Sequence, residues 1–168
     1  GDKMNQNKRI LLGVLILAVL ASLVLTIESL RGARSTKTTE IAIEPGDVPL
    51  YKNHQLIAAF NADDISSCEE IQFTDKEEGK IQQGWSISCV LGQFIKTKRL
   101  ANNTQVVFTS SSRGKSASLT WEEINNPENN VMFDLSGRGT LKLVSELEQL
   151  NTRDEWIQDV DKIEVIEP

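Results

Sequence analysis

The sequence predicts an α+β domain of short strands and small helices, carried behind a single membrane-spanning helix. Three observations predict it. Ile10 to Ile27 is an eighteen-residue run of apolar and small residues with no charge. After it, short β-branched stretches alternate with Gly-, Asn- and Ser-rich turns. Between those stretches, a few segments carry apolar residues at helical spacing.

The first run decides where the remainder is held. At 1.5 Å per residue it makes a helix of about 27 Å, close to the thickness of a bilayer core. A secretory signal has a shorter apolar core, and the small residues Ala18, Ala21 and Ser22 lie inside the run. The expected reading is an uncleaved anchor. Gly1-Asp2-Lys3 reads as an appended remnant ahead of Met4, within an N-terminal tail over 1–9. Residues 28–39 form a polar tether, and 40–168 are long enough for one modest domain. Lys3, Lys8 and Arg9 before the run nearly balance Arg31, Arg34 and Lys37 after it, so the positive-inside count decides little. A short tail followed by one large domain favours a single-pass protein with its domain outside the cytoplasm.

Charge narrows the partners. Residues 1–37 hold six Lys and Arg against two acids, and the rest of the chain holds twelve against twenty-two, so the balance passes from +4 to −10. An acidic domain repels nucleic acid, which excludes that partner class. The expected contacts are the bilayer, through the anchor, and an envelope protein. Gly13, Ala18, Ala21 and Ser22 would permit close approach of another membrane helix.

Along the domain, Glu40 to Val48 is read as a first strand ending in the Pro45-Gly46-Asp47 turn, and Gln55 to Phe60 as a second strand. Asn61 is placed to cap a short helix over 62–68, with Asp63 and Asp64 in its first turn. Ile71 to Thr74 reads as a strand and Asp75 to Lys80 as a charged turn. Trp85, Ile87, Val90, Leu91 and Phe94 predict an amphipathic helix starting near Ser86 or Ser88. Gln105–Thr109 and Ser116–Thr120 read as a hairpin around the turn from Ser110 to Gly114. One helical turn, Trp121 to Asn125, stops at Asn126-Pro127. Val131–Leu135 and Thr140–Val144 flank the turn from Ser136 to Gly139, Leu147 to Trp156 is loop or short helix, and Ile163–Ile166 is the last strand.

Chemistry is sparse. His54 is the only histidine, and no Gly-x-Ser-x-Gly elbow is present. A Ser112/Lys115 dyad has no more support than any polar hairpin. Asp63 and Asp64 are adjacent, so on a helix they would diverge rather than share a ligand. Cys68 and Cys89 fit no zinc spacing. They read either as one disulfide, which an even count permits outside the cytoplasm, or as two buried small side chains. Two Gly/Arg turns, Ser112–Lys115 and Gly137–Thr140, would present Arg113 and Arg138 to an anion, although glycine in a hairpin explains both without one. Asn102-Asn103-Thr104 is a glycosylation sequon, meaningful only in a eukaryotic secretory setting. Trp85, Trp121 and Trp156 are read as packing residues.

The order of four stretches resembles the small version of the oxidoreductase molybdopterin-binding domain, the fold of sulfite-oxidase-type enzymes. They are Asn61–Ile65, Gln83–Leu91, Val106–Glu123 through the Ser112–Lys115 turn, and Gly139–Val144 with Trp156-Ile157 and Lys162–Val165. The resemblance implies that fold, and in its catalytic members a cysteine thiolate on molybdenum with arginine and histidine at the pterin phosphate. This chain departs from the pattern. Ile71–Asp75, the equivalent strand, lacks the cysteine; Cys68 precedes it and Cys89 lies in the next helix. Gly139-Thr140-Leu141-Lys142 stands where the family has Gly-Pro-Leu-Arg, and the hairpin tyrosine is missing. The expectation is a binding or scaffold module, an accessory subunit of an envelope or electron-transfer complex. It is not expected to be an enzyme or to hold a metal or cofactor. The alternative is a redox subunit retaining molybdopterin, with Cys89, Cys68, Arg113 and Arg138 as its candidate contacts.

Overall fold

The computed structural model describes residues 41–168. The expected anchor (10–27) and tether (28–39) lie outside the described residues. No helix among the described residues is long and apolar enough to cross a membrane.

Nine strands and two short helices make up the domain. They are β1 (Val48–Lys52), β2 (Gln55–Phe60), β3 (Glu70–Thr74), β4 (Ile81–Ser86), α1 (Ile87–Phe94), β5 (Gln105–Ser110), β6 (Lys115–Thr120), α2 (Trp121–Asn125), β7 (Met132–Leu135), β8 (Leu141–Val144) and β9 (Lys162–Ile166). One sheet has the order β2-β1-β9-β5-β6 and the other β3-β4-β7-β8. All pairings are antiparallel except β1 with β9, which is parallel.

This corrects the expected fold class. The domain is predominantly β, not α+β, and its helices build no layer of their own. Two local misreadings account for the difference. Residues 62–68 form turns rather than a helix. Asn61 Oδ1 does accept from the amides of Asp63 and Asp64, but those bonds satisfy a turn as well as a helix start. Conversely, Ile81–Ser86 is a full strand that the sequence hides, because its Gln-Gln-Gly centre has low β-propensity. The first strand also begins at Val48, after the Pro45-Gly46-Asp47 turn rather than before it. The hairpins β5–β6 and β7–β8 and the turn of α2 fall where the pattern predicts them. Thr120 and Glu123 close α2 with a reciprocal capping box.

The two sheets face each other across one apolar core. Leu50, Phe108, Ile163 and Val165 from one sheet share it with Phe133, Leu141 and Leu143 from the other, all at most 3% exposed. Phe108 and Phe133 meet edge-to-face, their ring centroids 5.9 Å apart. The opposite face of the four-stranded sheet is also covered. Phe73, Met132 and Val144 pack there under Trp156, whose segment returns to β8 through a bridge between Leu143 and Ile157.

Gly84 in β4 makes the tightest backbone approach. A Cβ there would stand 1.9 Å from the Phe133 carbonyl oxygen of β7. No side chain fits unless the two strands part. Gly84→Ala is therefore expected to cost on the order of 3 kcal/mol or more, read as a lowered midpoint in urea unfolding. A midpoint unchanged from wild type would contradict this packing.

Candidate functional site

The two arginine turns that the sequence singles out converge, and they converge on a carboxylate. Gly114 and Gly139 adopt positive φ at the tips of the β5–β6 and β7–β8 hairpins, and an arginine from each tip reaches the segment leading into β9. Asp159 stands on that segment. Its carboxylate accepts from Arg113 Nε at 2.8 Å, from Arg138 at 2.8 and 3.1 Å, and from the Thr140 hydroxyl at 2.6 Å. Two residues on, Asp161 accepts from the amide and hydroxyl of Ser111. The position an external anion would take between the two guanidinium groups is filled by the protein's own carboxylate.

Sequence reasoning missed Asp159. The one available signal is its residue type: Asp tolerates the left-handed backbone found here, with φ of 56°. The Thr140 hydroxyl, then the Arg113 hydrogen bond and both arginine charges, hold its carboxyl below the ordinary value of 3.8 against the opposing effect of burial. A carboxyl whose folded pKa is depressed stabilises the fold above its unfolded pKa, and that contribution is lost as pH falls through the folded value. Asp159→Asn is expected to cost about 2 kcal/mol at neutral pH, the scale of a hydrogen-bonded charge. The gap between variant and wild type should hold down to about pH 5 and then close in acid. Urea titrations across pH measure it, and a gap independent of pH down to acid unfolding would contradict the assignment.

Cys68 and Cys89 are joined as a disulfide, with their Cα atoms 5.7 Å apart. Gln93 on the last turn of α1 donates to the Cys68 sulfur. The bond pins the 61–68 turn to α1 and closes a loop that contains the whole β3–β4 hairpin. A loop of that size constrains the unfolded chain by about 3 kcal/mol. Cys68→Ala/Cys89→Ala, or full reduction, should lower the unfolding free energy by about that amount. Equal midpoints for reduced and oxidised protein would show that the bond does not form in solution.

The remaining candidates do not assemble into a catalytic set. His54, in the β1–β2 turn, is largely exposed and its Nδ1 contacts Glu164. Ser112 shares a contact with the Ser110 hydroxyl, while Lys115 donates to the Asp154 carbonyl, so the two form no dyad. Asp63 and Asp64 bind the turn around Asn61. Asp75 is 2% exposed. The Glu78 amide, then Gln82 and the backbone at Lys80, hold its carboxyl low against burial. Gln82 in turn accepts from Lys142, which pairs with Asp134 and lies 4.7 Å over the Trp156 ring. This chain of contacts closes over the Trp156 cluster.

A groove of about 330 Å³ lies beside β6, which with β2 forms one of the two edges of the five-stranded sheet. Ala117, Leu150 and Ile157 give it an apolar floor, and Lys115, Gln149, Asp154 and Glu155 a polar rim.

No family model matches this chain, and no curated protein does.

Molybdenum would need a thiolate, and Cys68 and Cys89 are bonded to each other. A pterin phosphate would need free guanidinium groups, and Asp159 engages both Arg113 and Arg138. These residues do not fit the group. Among the described residues, no three His, Cys, Asp or Glu side chains cluster as metal ligands.

Proposed function

We propose that this protein is a membrane-anchored binding module. Its domain works outside the cytoplasm and takes an extended segment of another envelope protein along the open edge of β6. The groove beside that edge carries the binding half of the reading. An unpaired strand offers a row of backbone donors and acceptors to an incoming strand, and the adjoining apolar floor gives alternate side chains a place to sit. The disulfide supports the compartment, because such bonds persist in oxidising surroundings. The run from Ile10 to Ile27 supports the anchor. A binding role, as accessory subunit of an envelope complex, also suits a domain in which Ser112, Lys115 and His54 are engaged in structural contacts.

Proline at the edge tests the reading. In an antiparallel pair, successive residues direct their amide alternately to the partner strand and away from it. Of Ser116→Pro and Ala117→Pro, one therefore removes an internal β5–β6 bond and the other only an outward-facing amide. The chain extracted from its own membranes in mild detergent should migrate as a complex. The stability-sparing proline variant should migrate as the free protein. A wild-type chain that runs as a monomer, or a sparing variant that keeps its partner, would refute the proposal.

A further inference from the structure

The domain is acidic, but its acids are unevenly placed. From Gly79 to Trp121 there is no Asp or Glu, and this stretch carries Lys80, Lys96, Lys98, Arg99, Arg113 and Lys115. Three of these six gather on one turn. The chain leaves α1 at Ile95 and makes a single 3-10 turn over Thr97–Arg99, on which Lys96, Lys98 and Arg99 are all exposed.

These three differ from most cations of the domain. Lys52, Lys80, Arg113, Arg138, Lys142, Arg153 and Lys162 sit in salt bridges, and Lys115 donates to a carbonyl. Lys96, Lys98 and Arg99 make no ion pair among the described residues. Lys76 shares that property, but it lies between Asp75 and Glu77 in a charged turn. Beside the basic turn is a shallow depression of about 370 Å³, lined by Gly92, Ile95, Lys96, Thr97, Lys98 and Arg99. Ile95 and Gly92 give it an apolar part beside the three cations. Unpaired cations around a small apolar floor suit a phosphate-bearing headgroup with the start of its acyl chain.

We infer that the Lys96–Arg99 turn is the face this domain presents to an anionic bilayer, where it binds phospholipid headgroups. The inference rests on the anchor reading, which supplies the surface. Twelve tether residues span at most about 40 Å when extended, so the domain is held within reach of the headgroups. Near an outer leaflet that displays anionic phospholipid its acidic surfaces are repelled, and this turn is drawn in. Each basic residue at such a surface strengthens attachment about fivefold, so three acting together give roughly a hundredfold.

The test uses the full chain in vesicles of phosphatidylcholine, with and without phosphatidylglycerol. Co-flotation with the neutral vesicles reads the anchor by itself. Amine acylation, followed residue by residue, reads the turn. Labelling of Lys96 and Lys98 should fall at least about threefold on the anionic vesicles, a modest share of the attachment expected from their charges. Labelling of Lys76 should not change, and molar salt should reverse the protection. Hydrogen exchange over 95–100 should slow with the wild type and not with the Lys96→Gln/Lys98→Gln/Arg99→Gln variant. Equal labelling on both vesicles overturns the inference. So does equal protection by inorganic phosphate on neutral vesicles, which would make the turn a site for free phosphate. Protection that appears only when a protein partner is present overturns it as well. If the chain fails to float with neutral vesicles, the anchor reading fails. The turn is then judged by flotation with anionic vesicles alone, which the triple variant should lose and whose absence in wild type would overturn the inference.

Discussion

The strand Met132–Leu135 is buried on both faces at its start, through Met132 and Phe133, and most of the fold follows from that constraint. Phe133 points into the core between the sheets, where it meets Phe108. Its neighbour Met132 points the other way, into the cluster under Trp156. A shift of one residue would exchange these two environments and set Asp134 against the core. Gly84 fixes the same register from the side, since only a residue without Cβ can lie against the Phe133 carbonyl. The position of β4, the entry into α1 and the seat of the 145–157 segment all depend on β7 holding that place.

The parts of the fold legible in the sequence are those whose signals are local. The β5–β6 hairpin shows an alternating Val-Val-Phe strand, a Ser/Gly turn and a returning strand, all within sixteen residues. Thr120 and Glu123 announce α2 by their spacing, and Pro127 ends it. The illegible parts depend on partners distant in the chain. Ile81–Ser86 looks like a weak strand because its Gly is required by β7, some fifty residues on. Asn61 and its aspartates give a helix-start signature, and the chain uses it to close a turn that the Cys68–Cys89 bond then holds. The fold class turns on these two places: the helix that the sequence suggests over 62–68 is a turn, and Ile81–Ser86 is a strand.

The candidate site shows the same division. The residue types at Arg113 and Arg138 mark two cationic hairpin tips, and each tip is readable alone. Their meeting is not, because it depends on Asp159 arriving from a third segment with a left-handed backbone. Once it arrives, the electrostatics change in kind. Two guanidinium groups that would attract an anion from solution instead tie three loops at one end of the sandwich. The groove beside β6 had no signature in the sequence, since it is defined by what fails to pair with that strand.

The parallel pairing of β1 with β9 carries a consequence of another sort. Leu50, Tyr51 and Lys52 lie opposite Ile163, Glu164 and Val165 in the middle of the sheet. Because the two strands run the same way, the start of β1 and the end of β9 emerge at opposite ends of the domain. A pull applied between those points would load the ladder lengthwise, so its hydrogen bonds must break together rather than one after another.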